Sequence, residues 1–259
     1  MVNKTTYLKT TLSLLLLAVF YTDNLNAQNA ENLFKNYHKW GVTGQLNNFT
    51  KGDVTATSNN NFNYEVLKNR RFAFGLTYNF YQYKDWNFKA GIQLQWFGNE
   101  NKIFISSEET ALPVDINSGI ITSNDRIVYL PLTFENVLLT KGNINLSLGG
   151  GLALSYLRET IGNLTIENNN SIPIFTSDAN INKSTLYTSG HLDASIYFKA
   201  KNFNLQTSVI YSKSFKSFKT GTYEFSNLVT APNTRGAIDQ SGDFIGLSLT
   251  LYFKKKPKD

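Results

Sequence analysis

Apolar and polar residues alternate along eight stretches of the chain. The alternation is clearest over Phe72–Phe80, Trp86–Trp96 and Ile144–Tyr156. Side chains two residues apart share one face of a β-strand, whereas the same spacing on a helix would scatter the apolar side chains around the cylinder. Weaker versions of the pattern cover Trp40–Phe49, Arg126–Asn136, Leu186–Ala200, Asn202–Phe215 and Asp243–Phe253. The pattern therefore predicts eight strands, each with one apolar and one polar face.

The links between these strands alternate between long and short. Three are tight, near Tyr83-Lys84-Asp85, Thr140 to Asn143 and Ala200 to Asn202, and four are long, over 50–70, 98–125, 158–185 and 216–242. In bacterial outer-membrane barrels, short turns lie in the periplasm and long loops lie outside. We therefore predict an all-β fold over residues 40–253, an eight-stranded antiparallel up-and-down transmembrane β-barrel with short periplasmic turns and four long extracellular loops.

Proline lies inside one of these strands. Pro131 cannot donate a hydrogen bond to the sheet, so a local bulge or a missing bond is expected there without loss of the strand.

The first residues have the pattern of an export signal. Lys4 and Lys9 precede an apolar run from Leu12 to Phe20, and a polar stretch follows that ends at Ala27. The run has nine residues, whereas a membrane helix needs about twenty. We predict a signal peptide over residues 1–27 that is cleaved after Ala27, a periplasmic N-terminal segment over 28–39 and a basic periplasmic tail over 254–259.

A soluble, lipocalin-like barrel also has eight alternating strands, but its apolar face points inward. Two features favour lipid around this barrel. The polar face is rich in small and amide side chains, and aromatic residues lie near strand ends, as in the interfacial girdles of membrane barrels. One predicted girdle comprises Tyr81, Tyr83, Trp86, Phe88, Phe198, Phe203, Tyr252 and Phe253, and the other comprises Trp96, Phe97, Tyr156, Tyr187, Tyr211, Phe215 and Phe218.

The strand pattern resembles that of small outer-membrane barrels of the OmpX type and of the related PorT-like barrels. The resemblance rests on the signal peptide, on Tyr129-Leu130-Pro131-Leu132 followed by Gly149-Gly150-Gly151, and on the final strand Ile245–Phe253. It implies export and insertion by the barrel-assembly machinery, which would read an apolar alternation that ends on an aromatic residue. That C-terminal signal would comprise Leu247, Leu249, Leu251 and Phe253. The tail Lys254–Asp259 departs from the pattern, and the resemblance implies no single activity.

An eight-stranded barrel is just wide enough for side chains to fill it. Several ionisable and tyrosine side chains fall on the inward register, and they would have to satisfy one another because unpaired buried charge is costly. This predicted polar plug comprises Lys89, Tyr129, Glu135, Tyr187, His191, Asp193, Tyr197 and Lys199. A wide pore is therefore not expected, and a narrow or gated channel for small solutes stays an alternative.

The sequence offers little catalytic chemistry. His191 and Asp193 share a strand face and could form half of a hydrolase site, but no G-x-S-x-G motif accompanies them. The chain has no cysteine, which excludes disulfides, thiolate metal sites and lipoprotein attachment. We expect no enzyme activity, cofactor or metal. The acidic residues Glu100, Glu108, Glu109, Asp115 and Asp125 lack calcium-loop spacing and are expected at a solvated loop surface.

Basic residues gather where the strands meet the long loops, and the chain carries a net charge of +6. They could bind lipopolysaccharide phosphates through charge-assisted hydrogen bonds. These residues are Lys68, Arg70, Arg71, Arg158, Lys213 and Lys216. We expect a non-enzymatic envelope protein with a structural, interaction or secretion-linked role. Its partners would be outer-membrane lipid, lipopolysaccharide, the barrel-assembly machinery and an envelope or surface protein, without nucleic acid. A soluble lipocalin-like ligand carrier is the second alternative.

Overall fold

The computed structural model describes residues 33–55, 60–98, 100–110, 112–122, 125–158, 160–181 and 185–256, so the predicted signal peptide lies outside the described residues. No helix within these ranges is long and apolar enough to cross a membrane. The described elements are β1 (Tyr37–Phe49), β2 (Asp53–Thr55), β3 (Phe62–Leu67), β4 (Asn69–Tyr83), β5 (Trp86–Phe97), β6 (Glu100–Ile105), α1 (Ser107–Thr110), β7 (Ile116–Thr122), β8 (Asp125–Lys141), β9 (Ile144–Leu157), β10 (Thr160–Glu167), β11 (Pro173–Ile181), β12 (Thr185–Lys199), β13 (Phe203–Ser214), β14 (Ser217–Phe225), β15 (Thr234–Ser241) and β16 (Phe244–Lys254).

Eight long strands form a closed antiparallel barrel in the order β1-β16-β13-β12-β9-β8-β5-β4. The barrel closes because β1 pairs with β16 on one side and with β4 on the other. Closure leaves no free sheet edge, which a strand structure in hydrocarbon requires because unpaired backbone groups are costly there. The predicted eight-stranded up-and-down barrel is therefore confirmed. Its first strand begins at Tyr37, before the predicted start at Trp40.

The three predicted hairpins are confirmed, with turns between Tyr83 and Trp86, between Lys141 and Ile144 and between Lys199 and Phe203. Pro131 has the predicted effect. It stays in register with Ala153 on β9, but β8 loses its pairing with β5 between the Ala90–Leu132 and Gln93–Tyr129 pairs. The register is the same on both sides of this gap, so the proline removes bonds without introducing a bulge.

The barrel is apolar outside and polar inside. The outward-facing Val42, Phe74 and Leu247 are 54%, 54% and 57% exposed, whereas the inward-facing Asn47 and Asn87 are fully buried. A soluble barrel would have the opposite arrangement, since exposed aliphatic and aromatic side chains over the whole wall are stable only against lipid. The fold is therefore that of a transmembrane barrel of the outer-membrane type.

The predicted aromatic girdles are correct only in part. Tyr81, Tyr83 and Phe253 are exposed at the turn end, and Tyr156, Tyr211 and Phe215 are exposed at the loop end. Four predicted members are instead buried on the interior side of their strands. These are Phe97, Tyr187, Phe218 and Tyr252. The prediction used only the distance of each aromatic residue from a strand end, and this distance does not indicate whether the ring faces the lipid or the lumen.

The four long connections fold into two further sheets at one end of the barrel. One has five strands in the order β10-β11-β14-β15-β2, and the other has three in the order β3-β6-β7. The two sheets share a core in which Phe62 packs against Phe225 and Tyr64 packs against Phe175 and Tyr223, with ring centroids 4.7, 5.3 and 4.9 Å apart. We call this pair of sheets the loop sandwich. The connections are therefore long, as predicted, but most of their length is ordered sheet.

Candidate functional site

The middle of the barrel holds a network of polar side chains centred on Glu135. Its carboxylate is fully buried, forms an ion pair with Lys89 of β5, and accepts hydrogen bonds from Tyr197 (2.6 Å) and Ser147 (2.9 Å). Because β5, β8, β9 and β12 are neighbours in the barrel, their inward positions converge at one level of the lumen. The lumen there is crossed by bonded side chains.

His191 and Asp193 lie in the same layer, but their hydrogen bonds lead to other residues. His191 Nε2 lies 2.9 Å from the Thr133 hydroxyl, and the Asp193 carboxylate accepts a hydrogen bond from Ser195 at 3.2 Å. Both side chains line, with Lys89, a cavity of about 60 Å³. A cavity of this size holds a few water molecules. Among the described residues, no group of three or more His, Asp or Glu side chains is placed to hold a metal ion.

A glycine makes room for this layer. A Cβ atom at Gly149 would lie 2.7 Å from Asp193 Oδ1 and 2.8 Å from Glu135 Cβ, which is closer than side chains pack. Gly149 pairs with Glu135 on one side and with Asp193 on the other. The glycine therefore permits two carboxylates to lie on adjacent inward positions of the wall.

Aromatic side chains seal the loop end of the lumen. Phe218 from the start of β14 packs against Phe97 and Tyr187 at centroid distances of 5.4 and 4.8 Å, and Phe49 packs against Phe97 at 5.2 Å. Tyr129 belongs to the same buried cluster. We call this cluster the outer seal. Of the predicted plug residues, Tyr187 lies in the outer seal, whereas Tyr129 borders both levels because it also lines the cavity of the polar layer.

The segment before β1 seals the turn end. Leu33 and Phe34 are each 1% exposed, and the Phe34 ring packs edge-on against Tyr252 and Tyr197 at 4.7 and 5.9 Å. Hydrogen bonds to its carbonyl groups hold the segment in place, since the Asn204 side-chain amide donates to the Leu33 carbonyl and the Lys255 backbone N–H donates to the Asn36 carbonyl. We call this segment the inner seal. Sequence reasoning missed it because Leu33-Phe34 stands outside the strand pattern.

The remaining plug residue, Lys199, is half-buried at the turn end of β12. The predicted plug therefore spans several levels of the barrel. Lys89, Glu135, Tyr197, His191 and Asp193 share one layer.

The predicted rim cations all lie at the loop end, in differing environments. Lys68, Arg70, Arg158 and Lys216 are exposed. Lys213 is paired with Asp243 at 2.5 Å, and Arg71 is half-buried and lies 3.5 Å from Glu100. Asp243 and Glu100 therefore already neutralise part of the charge of Lys213 and Arg71. The predicted C-terminal signal residues Leu247, Leu249 and Phe253 are exposed on the outer wall, and Leu251 is half-exposed.

The expectation of a solvated acidic loop is wrong for Glu109. The side chain is 1% exposed and accepts hydrogen bonds from the Thr230 amide (2.9 Å), the Thr230 hydroxyl (2.5 Å), the Ala231 amide (3.1 Å) and the Asn61 amide group (3.2 Å). Burial alone would raise the pKa of Glu109, but these hydrogen bonds outweigh it and lower the pKa from 4.5 to about 2. One carboxylate thus ties three of the four long connections together. Asp125 is also buried, with 8% of its surface exposed.

Comparisons with known proteins give structural likeness alone. No protein-family model matches the chain, and no curated protein matches it. Among solved structures, it is similar to the outer membrane protein OprG from Pseudomonas aeruginosa (9% identity, 85% of this chain and 98% of that one, TM-score 0.43). It is also similar to the attachment invasion locus protein Ail of Yersinia pestis (14%, 82% and 99%, 0.29) and to the outer membrane protease OmpT from Escherichia coli (9%, 90% and 100%, 0.33). Because these three TM-scores are below 0.5, the fold assignment rests on this chain's own closed barrel.

Proposed function

We propose that the protein is a non-enzymatic outer-membrane protein whose sealed barrel anchors the loop sandwich at the cell surface, where the sandwich recognises a partner. The observation that carries this proposal is the shared aromatic core of the two sheets above the barrel. Mobile loops do not bury such a core. Ordering the long connections into two sheets costs conformational entropy, which the burial of this core offsets. A rigid scaffold that displays an ordered surface is typical of recognition proteins.

The side chains that fill the barrel interior favour the scaffold function and argue against a channel. The outer seal, the polar layer and the inner seal follow one another along the lumen, and the cavity in the polar layer has a volume of about 60 Å³. A hydrated solute would have to displace all three layers. The narrow or gated channel is therefore the weaker candidate.

The polar layer also supports a structural role over a catalytic one. His191 and Asp193 are bonded to Thr133 and Ser195, and both lie inside the barrel between the two seals. Their side chains are buried, with 6% and 7% of their surface exposed. Alanine at His191 should lower the stability of the barrel without removing an activity.

The location and membrane partners form part of the same proposal. In this proposal the protein resides in the outer membrane after removal of residues 1–27. The barrel-assembly machinery would recognise the C-terminal signal that ends at Phe253 and insert the strands, as in OmpX-like and PorT-like barrels. Exposed cations at the loop end, Lys68, Arg70, Arg158 and Lys216, support contact with lipopolysaccharide phosphates. Lys213 and Arg71 would contribute less, because Asp243 and Glu100 neutralise part of their charge.

The test replaces each long connection by a short turn, which leaves a barrel without the sandwich. Mobility on SDS gels with and without boiling shows whether both proteins form closed barrels in an outer-membrane fraction. Proteoliposomes that carry the whole chain should bind a cell surface or envelope fraction that the barrel-only variant does not bind. Equal binding by the two would contradict the proposal, and so would recovery of the native protein in the soluble periplasm.

A further inference from the structure

The loop sandwich contains a cavity at the place where its two sheets end. β2 is the last strand of the five-stranded sheet and β3 is the first of the three-stranded sheet, and a cavity of about 420 Å³ lies between them. The gap is narrow at one end, where a Cβ at Gly52 would lie 2.9 Å from Val66 Cγ1. The cavity is within the range of sites for small ligands.

Aromatic side chains of the sandwich core reach this cavity. Tyr64, Tyr223 and Phe225 line it, and the rings of Tyr64 and Tyr223 are 4.9 Å apart. Tyr223 is 2% exposed, yet its hydroxyl has no hydrogen-bond partner among the described residues. An unpartnered buried hydroxyl costs folding free energy, so a group that bonds to it on arrival is favoured. Burial also raises the pKa of Tyr223, which keeps the hydroxyl protonated as a donor.

Polar side chains surround the same opening. Asn63 donates a hydrogen bond to Glu65 at 2.8 Å, and this fixes the orientation of both planar groups. Asp53 and Lys51 line the opposite wall, and both are exposed. The walls therefore offer carboxylate acceptors, an amide and one ammonium donor beside an aromatic surface.

We propose that this cavity binds the ring of a neutral carbohydrate, an inference that rests on the recognition role proposed above. A sugar ring has a rim of hydroxyls that both donate and accept, which suits the carboxylates, the amide and the ammonium group of the walls. Its C–H groups would contact only the small part of Tyr64 and Tyr223 that is exposed, 5% and 2% of the two residues. An anion would meet two carboxylates, Asp53 and Glu65, against one lysine. A purely apolar ligand would leave those carboxylates and the Tyr223 hydroxyl without partners.

The test uses the whole chain in nanodiscs on an array of neutral mono- and oligosaccharides, with affinities for positive sugars measured by calorimetry. Tyr223→Phe removes one hydroxyl and keeps the core ring, and Glu65→Gln removes one charge. Each should weaken binding by about threefold to tenfold, the usual effect of one hydrogen bond. Tyr81→Phe is the matched control, since Tyr81 is exposed at the opposite end of the barrel and should bind like the wild type.

The source of the sugar is distinguished by competition. If delipidated lipopolysaccharide core displaces the array sugar, the ligand is part of the protein's own membrane, whereas displacement only by other glycans indicates an external surface. Absence of sugar binding, or equal binding by wild type and Tyr223→Phe, would overturn the carbohydrate site. Either result leaves the recognition role standing if the sandwich is still required for binding to cells.

Discussion

At the scale of single residues, the ion pair between Lys89 and Glu135 makes the sharpest prediction for the barrel interior. Removing one member leaves a buried charge without its partner, which costs about 3–5 kcal/mol, whereas apolar replacement of both is often neutral. Glu135→Ala should therefore destabilise the barrel by about that amount, and Lys89→Met with Glu135→Leu should recover most of it. Urea unfolding in lipid vesicles, followed by tryptophan fluorescence, measures both. A double variant as unstable as the single one would contradict the interpretation.

Two barrel glycines, Gly149 of β9 and Gly44 of β1, provide a comparison. A methyl group at Gly149 would collide with Asp193 and Glu135, whereas a methyl at Gly44 meets no atom within 4 Å. Gly149→Ala should therefore cost about 1–3 kcal/mol through overpacking, and Gly44→Ala should be nearly neutral. The same urea titration decides between them. Equal effects would show that the polar layer yields to an added methyl group.

Sequence could place side chains on a face, but it could not name their partners. Inward positions such as Glu135 and His191 follow from the period of two. The hydrogen bond between His191 of β12 and Thr133 of β8 depends on the order of the strands, because it passes over β9, which lies between those two strands. Glu109 illustrates the limit most clearly. Its partners Thr230 and Ala231 are more than one hundred residues away along the chain, so no local pattern distinguishes it from the exposed Glu108.

At the scale of elements, Glu109 predicts how acid affects the loop sandwich. Its pKa is lower in the folded chain than in the unfolded chain, so its stabilising contribution is complete above pH 4.5 and is lost as the pH falls towards 2. The protection of the backbone around Thr230 against hydrogen exchange, expressed relative to the intrinsic exchange rate at each pH, should therefore fall over that range. In Glu109→Gln this protection should already be low at neutral pH and should vary little with acid, while Glu108→Gln should behave like the wild type. A wild-type sandwich insensitive to acid between pH 4.5 and 2 would contradict this role.

The barrel strands could be predicted because lipid and lumen impose a strict period of two over ten or more residues. The sandwich strands are shorter, and β2 has only three residues. Alternation is present in Phe62-Asn63-Tyr64-Glu65-Val66, where the apolar members are buried, and this signal could have indicated a strand. The pairing of β11 with β14 could not be predicted, since it joins two connections that are far apart in sequence.

At the scale of the whole molecule, three layers that lie in series along the lumen determine whether ions pass. The outer seal, the polar layer and the inner seal lie in series, so opening one leaves two others across the path. An ion that enters such a layer loses its hydration without gaining equivalent partners, which makes each layer a separate barrier. The sequence predicted the polar layer, but both seals depend on rings whose orientation emerges only when the barrel closes.

This arrangement predicts that removing one seal at a time leaves the barrel without measurable conductance. The wild type, Phe34→Ala and Phe218→Ala should each be silent in planar bilayers, because every one retains at least two layers. A variant that combines both changes with Tyr197→Ala should conduct, since Tyr197 contacts the inner seal and bonds to Glu135 of the polar layer. A heat-dependent mobility shift on SDS gels must first show that each variant is a closed barrel. Steady conductance by the wild type or by Phe34→Ala alone would mean that the remaining layers do not seal the lumen, and a channel would then replace the anchored scaffold as the better description.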